Sequence, residues 1–281
     1  MKIYFIIFIC VIFFSFNSCY EPIQGSGVVV RQEITGLSSF NSIILKNMAK
    51  VYVSSGSPQK VEIEVDDNFL DNVLENTSVS IKKLTISSKG IIAPSVMNVY
   101  ITIPDISELT NNGSGKIIMQ NSFIQGSTLW LNLTGSGNIE LMDFVTTDCQ
   151  ITNTGSGAIL IDSLGAFNTI NLSLSSTGII AINKIYSKFL QDTCSGSGRI
   201  LGKSGSSMNG KYLLSGSGII DLSGVSAVNA MASNSGSGRI LLKATNKLDA
   251  KISGSGNIEY WGNPPDLTQK ITGTGKLIKK N

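Results

Sequence analysis

Histidine is absent from this 281-residue chain. Its absence excludes Ser-His-Asp triads, imidazole acid–base chemistry and His-ligated metal sites. Charge is also scarce, at 15% of residues, and the formal net is only +3. No concentrated basic face is present, so the sequence gives no footprint for nucleic acid. Cysteine occurs four times, at positions 10, 19, 149 and 194, too few and too scattered for a disulfide framework. Glycine is abundant, but no Gly-x-x-x-x-Gly-Lys-Ser/Thr makes a phosphate loop, no Gly-x-Ser-x-Gly makes a nucleophile elbow, and no Gly-Gly-x-Gly-x-Asp makes a calcium β-roll. No cofactor and no catalytic set is expected.

What the chain has instead is a phrase. Gly-Ser-Gly or a close variant begins at Gly113, Gly135, Gly155, Ser176, Gly196, Gly216, Gly236, Gly254 and Gly273, in steps of 18 to 22 residues. A period of that length marks a solenoid, in which each repeat buries its apolar face on the next. Four residues into each repeat stand Ile117, Ile139, Ile159, Ile180, Ile200, Ile220, Ile240, Ile258 and Leu277, a continuous core column. Even offsets are mostly apolar and odd offsets mostly polar, the period of two that belongs to strands. Each repeat therefore reads as strand, glycine corner, strand. The corner glycines are expected to supply positive φ and close approach between coils. The fold expected is all-β, a parallel β-helix or β-solenoid, with right-handed winding favoured.

A second regularity overlies the first. Two residues before the phrase the series alternates as Asn111, Leu133, Asn153, Leu174, Cys194, Leu214, Asn234, Ile252, Ile271. That alternation suggests a unit of two repeats, about 40 residues, which would stack Asn111, Asn153 and Asn234 in an inward amide ladder. A coil of about 20 residues is the other solution. Cys149 and Cys194 lie at inward offsets displaced by four residues, roughly 13 Å along a strand, so they are expected as buried free thiols.

Upstream, residues 1–18 read as an export signal, with Lys2 before an apolar run from Ile3 to Phe16 that is short for a membrane span. Asn17-Ser18-Cys19 resembles a bacterial lipobox, which implies lipidation of Cys19 and a membrane anchor. Residues 19–24 would be a short tether. Residues 25–110 alternate as strands, as in Val61-Glu62-Ile63-Glu64-Val65, around one short helix near residues 67–75 that Asp66-Asp67 would cap. That region would close one end of the solenoid, and residues 111–281 would carry the repeats.

Two outward stripes are the candidate sites. Glu140, Asp221 and Glu259 share one odd offset and would line up as an acidic row. Ile118, Leu160, Leu201, Leu241 and Ile278 share that offset in the intervening repeats, with Lys116, Arg199, Arg239 and Lys276 two residues earlier. Outward yet apolar, the second set is the candidate interaction stripe, for self-association or for an envelope or glycan partner.

The segments Phe40–Ile43, Val51–Val53, Val61–Leu70, Leu84–Ile86 and Val99–Pro104, with the Gly-Ser-Gly series, resemble the head GIN domain family of putative autotransporter adhesins, common among Bacteroidetes lipoproteins. The resemblance implies a β-helical solenoid with a role in adhesion and no catalytic motif. The leading expectation is a non-enzymatic outer-membrane lipoprotein that presents its surface for adhesion or scaffolding, with the membrane side left open. The alternatives are a β-helix lyase or glycosidase and a periplasmic sensor or accessory protein.

Overall fold

The computed structural model describes residues 21–281. The export signal and Cys19 lie outside the described residues.

One phrase marks one coil. Strands Asn138–Asn153, Ala158–Leu174, Ile179–Cys194, Arg199–Leu214, Ile219–Asn234 and Arg239–Ile252 each pair in parallel with the next. The register runs Ile139, Ile159, Ile180, Ile200, Ile220, Ile240, Ile258, Leu277. The coil is therefore about 20 residues long, and the two-repeat unit is overturned. The isoleucines of this column are inaccessible to solvent, and each contributes roughly 1.5–3 kcal/mol of burial.

Inward alternation slips twice within a coil. In Asn138–Asn153, Met142–Asp143 and Thr147–Asp148 are successive outward pairs between buried Leu141, Phe144, Thr146 and Cys149. Two neighbours can both face out only where the strand bends. These bends and the Gly-Ser-Gly corner divide the coil into three sides.

The corner glycines do not work through φ. The glycines with positive φ are Gly27, Gly36, Gly90, Gly205 and Gly262, none of them in the repeated phrase. What the corner requires is proximity. A Cβ on Gly216 would overlap the carbonyl oxygen of Gly196, and one on Gly236 would overlap that of Gly216.

Nor do the inward asparagines stack. Asn111 neighbours Leu133, and Asn153 lies beyond it. Each amide instead closes its own corner. Asn153 Nδ2 donates to the carbonyls of Gly157 (3.0 Å) and Ile179 (3.2 Å), while its Oδ1 accepts from the Gly155 N–H at 3.0 Å. Asn111 and Asn234 repeat the arrangement. Side-chain hydrogen bonding thus meets the burial cost locally. Cys149 and Cys194 are buried free thiols, and burial pushes the Cys149 thiol up.

Chain order and spatial order part company at the N-terminal end. Lys83–Ile86 and Met97–Ile103 form the outermost coil. It pairs with Ser42–Leu45 and Lys50–Ser55, which pair in turn with Glu108–Asn111 and Lys116–Met119. Lys60–Asp66 runs antiparallel to both Met97–Ile103 and Val29–Glu33. A 3-10 turn at Asp67–Phe69 leads into the helix Leu70–Glu75, which buries Phe69 and Val73. Ile23–Gln24, expected as tether, pair with Ile92–Ala93. Antiparallel strands and a helix thus cover this end of the parallel stack.

Asp66 does not cap the helix with its side chain. It joins two neighbouring segments instead. Its carboxylate accepts from the Gly27 N–H (2.9 Å), the Ser95 N–H (2.6 Å), the Ser95 hydroxyl (2.7 Å) and the Val96 N–H (3.3 Å). The side chain is inaccessible to solvent. The Ser95 hydroxyl foremost, then the backbone donors, hold it below the usual carboxylate range. Asp66→Ala strands four donors and is expected to cost about 2–4 kcal/mol in a urea titration at pH 7. A depressed pKa contributes stability that is present above the unfolded value, near 3.9, and lost as pH falls through the folded value. The gap between wild type and variant should therefore close in acid. A gap that is constant from pH 7 to pH 3 would refute this role.

Candidate interaction groove

The stripes expected to be separate are one column. Register places Ile118, Glu140, Leu160, Ala181, Leu201, Asp221, Leu241, Glu259 and Ile278 in succession on the side of the coil that follows the glycine corner. A 20-residue coil interleaves aliphatic and acidic residues, so neither set is contiguous. Leu160 is 38% exposed, and Ile118, Leu201, Leu241 and Ile278 are half-buried. No other segment of the described chain covers them. Of the expected cations, Lys116 reaches Glu140 at 3.1 Å and Arg239 reaches Glu259 at 3.7 Å. Arg199 and Lys276 form no ion pair among the described residues. Exposed pairs of this kind contribute under about 1 kcal/mol each, so they order the face more than they stabilise it.

Beside this column lies a second, at the bend where that side ends. It consists of Gln120, Met142, Asp162, Asn183, Lys203, Ser223, Lys243, Trp261 and Lys280. Each stands seven residues after the start of its phrase. The two columns enclose two depressions of about 470 and 500 Å³, and a third of about 430 Å³ continues beyond Trp261, bounded by the second column with Gly262, Asn263 and Lys279. The first and second share Ala181, Asn183 and Lys203, and the second and third share Ser223 and Trp261. Together they form one groove parallel to the solenoid axis. Eight inter-strand steps of about 4.8 Å make it roughly 40 Å long.

Local glycines shape the groove. Gly202 borders the middle depression with backbone only, because its α-carbon faces inward, where a Cβ would press on the buried Leu222, Ile185 and Val225. Gly262 has φ +97°, and a Cβ there would overlap the Ala244 carbonyl. Its left-handed backbone turns the chain directly after Trp261, at the end of strand Ile258–Trp261.

Electrostatically the groove is polarised. Glu140 and Asp162 line its N-terminal third. Lys203, Lys243, Lys279 and Lys280 line the remainder, against the carboxylate of Asp221 and that of Glu259 beside Lys280. The acids are engaged by neighbours: Asn183 Nδ2 donates to Asp162 at 3.0 Å, and Asp221 accepts from the Ser223 hydroxyl at 2.7 Å and its N–H at 3.2 Å. Among the described residues no cluster of three His, Cys, Asp or Glu could hold a metal ion. The arrangement can bind an extended ligand through hydrogen bonds, an indole face and positive charge at one end.

The wall at the seventh position escaped sequence reasoning. Its residues share no chemical type, so neither hydropathy nor charge picks them out. The only signal was their common odd offset.

A family model described as putative auto-transporter adhesin, head GIN domain, matches the chain twice, over residues 39–162 and 145–264. Among solved structures, a putative lipid binding protein from Parabacteroides distasonis superposes with a TM-score of 0.69 at 24% identity, covering 93% of this chain and 100% of that one. A putative adhesin from the same species gives 0.65 at 21% identity, covering 92% and 100%. A putative adhesin from Parabacteroides merdae gives 0.61 at 22% identity, covering 92% and 99%. These likenesses establish the solenoid fold. No curated protein matches the chain.

Proposed function

The chain belongs to the putative auto-transporter adhesin, head GIN domain family, and on that footing we propose that it is a non-enzymatic lipoprotein of the cell envelope. Residues 1–18 direct export and Cys19 carries the lipid anchor. The solenoid holds its groove out for adhesion. No helix among the described residues is long and apolar enough to cross a membrane.

The observation that carries the reading is the groove itself. It crosses every coil from Ile118 to Lys280 and no described segment covers it. A parallel ladder fixes its side chains at regular spacing, so a long ligand meets a surface that is already organised.

Protease shaving of intact cells, with lysed cells as control, tests the placement. Loss of the repeats from intact cells is the expected result, and protection until lysis would overturn surface adhesion. The double variant Leu160→Asp, Leu201→Asp changes two half-exposed groove positions. It should lower adhesion of expressing cells at least tenfold while leaving the folded protein at wild-type level. Undiminished adhesion would remove the groove from the mechanism.

A further inference from the structure

We infer that the C-terminal part of the groove, around Trp261, binds an anionic sugar. The inference rests on the adhesive reading above and names its ligand class. The site is bounded by Lys203, Lys243, Lys279 and Lys280, with the indole of Trp261 between them and Ser223 below. Among the described residues, Lys203 and Lys243 are in no ion pair. Lys279 Nζ donates to Asn263 Oδ1 at 2.6 Å, a neutral partner that leaves its charge uncompensated. Lys280 alone meets a carboxylate, Glu259, at 3.6 Å. Uncompensated positive charge around an aromatic face calls for a ligand that is anionic and has an apolar face.

A sugar that carries a carboxylate or sulfate meets both demands. Its ring C–H face packs on the indole, its hydroxyls exchange hydrogen bonds with Ser223 and Asn263, and its acid group meets the lysines. A peptide fits less well. An extended peptide is read through a free strand edge, but Ile258–Trp261, which carries the indole, is already paired with strand residues 240–243 on one side and 277–279 on the other, and the one free edge, of Leu277–Lys279, is only three residues long. A uniform polyanion such as nucleic acid would run into Glu140 and Asp162 at the far end of the groove. The acid group therefore belongs at one end of a mixed or short glycan.

The test is calorimetric titration of the full chain in detergent with four probes: oligogalacturonate, a heparin fragment, a neutral oligomer of glucose, and oligoglutamate. One or both acidic glycans should bind at least tenfold more tightly than the neutral sugar and than oligoglutamate. Comparing them separates a carboxylate site from a sulfate site. Trp261→Ala and, independently, Lys243→Glu with Lys279→Glu should each weaken that binding at least tenfold. Equal affinity for the neutral sugar, preference for oligoglutamate, or indifference to these substitutions overturns the inference. Adhesion of cells bearing the same variants separates the two readings. Adhesion lost in Leu160→Asp, Leu201→Asp but intact in Trp261→Ala rejects the sugar site and keeps the groove. Adhesion unaffected by either set rejects both.

Discussion

Gly216→Ala should destabilise the protein by about 3 kcal/mol or more, a large loss for adding one methyl group. The new Cβ would overlap the carbonyl oxygen of Gly196 and crowd those of Ser195. That Gly196 carbonyl also accepts the N–H of Gly218 at 3.1 Å. It cannot retreat without breaking the hydrogen bond that carries the ladder round the corner. A flexible side chain could yield, but a backbone held on both sides cannot. The strain would enter two coils together, because in a solenoid each interface is shared. Gly126→Ala is the control. A Cβ there meets nothing within 4 Å, and its effect should stay within about 0.5 kcal/mol. Urea titration of the two variants beside wild type decides the matter. Equal midpoints would mean that the corner glycines are there for some reason other than close approach.

The same glycines mark how far the sequence could be read. Their 20-residue spacing and the isoleucine column reveal a solenoid with its inward faces, because stacking every coil on its neighbour forces a periodic core. Coil length stayed ambiguous between one repeat and two, because alternation of Asn111, Leu133 and Asn153 follows equally from either register. The asparagine corners resolve the reason for it: each amide bonds to its own glycines rather than to another amide. The N-terminal end was legible as strands and a helix but not as an order. Nothing in Lys83–Ile86 signals that it pairs outside Ser42–Leu45, since pairing order is a property of long-range contacts. Asp66 looked like a helix cap because its neighbours have capping chemistry, yet its partners Gly27 and Ser95 are distant in the chain. For the groove, the floor at Leu160 and Leu201 could be found from hydropathy. The wall at Asn183, Lys203 and Trp261 required the coil length first.

The interior is thinnest beneath the middle of that groove. Where other coils carry aliphatic residues, the two coils Ile179–Cys194 and Arg199–Leu214 hold Ser187, Asp192, Gly202, Gly205, Ser207 and Gly210 at inward positions. Tyr212 fills part of the space, with its hydroxyl where a Gly210 Cβ would stand. Asp192 is 1% exposed, and neither carboxylate oxygen has a hydrogen-bond partner among the described residues; the same holds for the Tyr212, Ser187 and Ser207 hydroxyls. Ser207 lies close enough to Tyr212 to ease its ionisation slightly, but burial dominates and pushes the phenol up. In a solenoid, stability is a sum over coils and their interfaces. Local opening is therefore expected to begin in these two coils, and their amides should exchange hydrogen before those of residues 138–174. Opening there would divide the groove between Asn183 and Lys203.

Asp192→Val is accordingly expected to stabilise the protein, by about 2 kcal/mol at pH 7. Valine suits a strand interior and removes two unpartnered polar oxygens without introducing others. The pH dependence identifies the cause. Burial raises the folded pKa of Asp192 well above its ordinary value, so the folded protein holds a proton that the unfolded chain releases above about pH 4. Stability of the wild type must then fall as pH rises from the unfolded value toward the folded one. Asp192→Asn should abolish that slope, because it cannot ionise, yet gain less than valine at every pH, because its amide stays unsatisfied. Guanidinium titrations at pH 4.5 and pH 8 separate the three proteins. Valine should exceed wild type by a wide margin at pH 8 and a narrower one at pH 4.5. A margin that is the same at both would show that Asp192 is ionised inside the folded solenoid, and that some partner for its charge is bound there. A margin that grows with pH would show a neutral acid in the interior, carried at the expense of the two coils that join the halves of the groove.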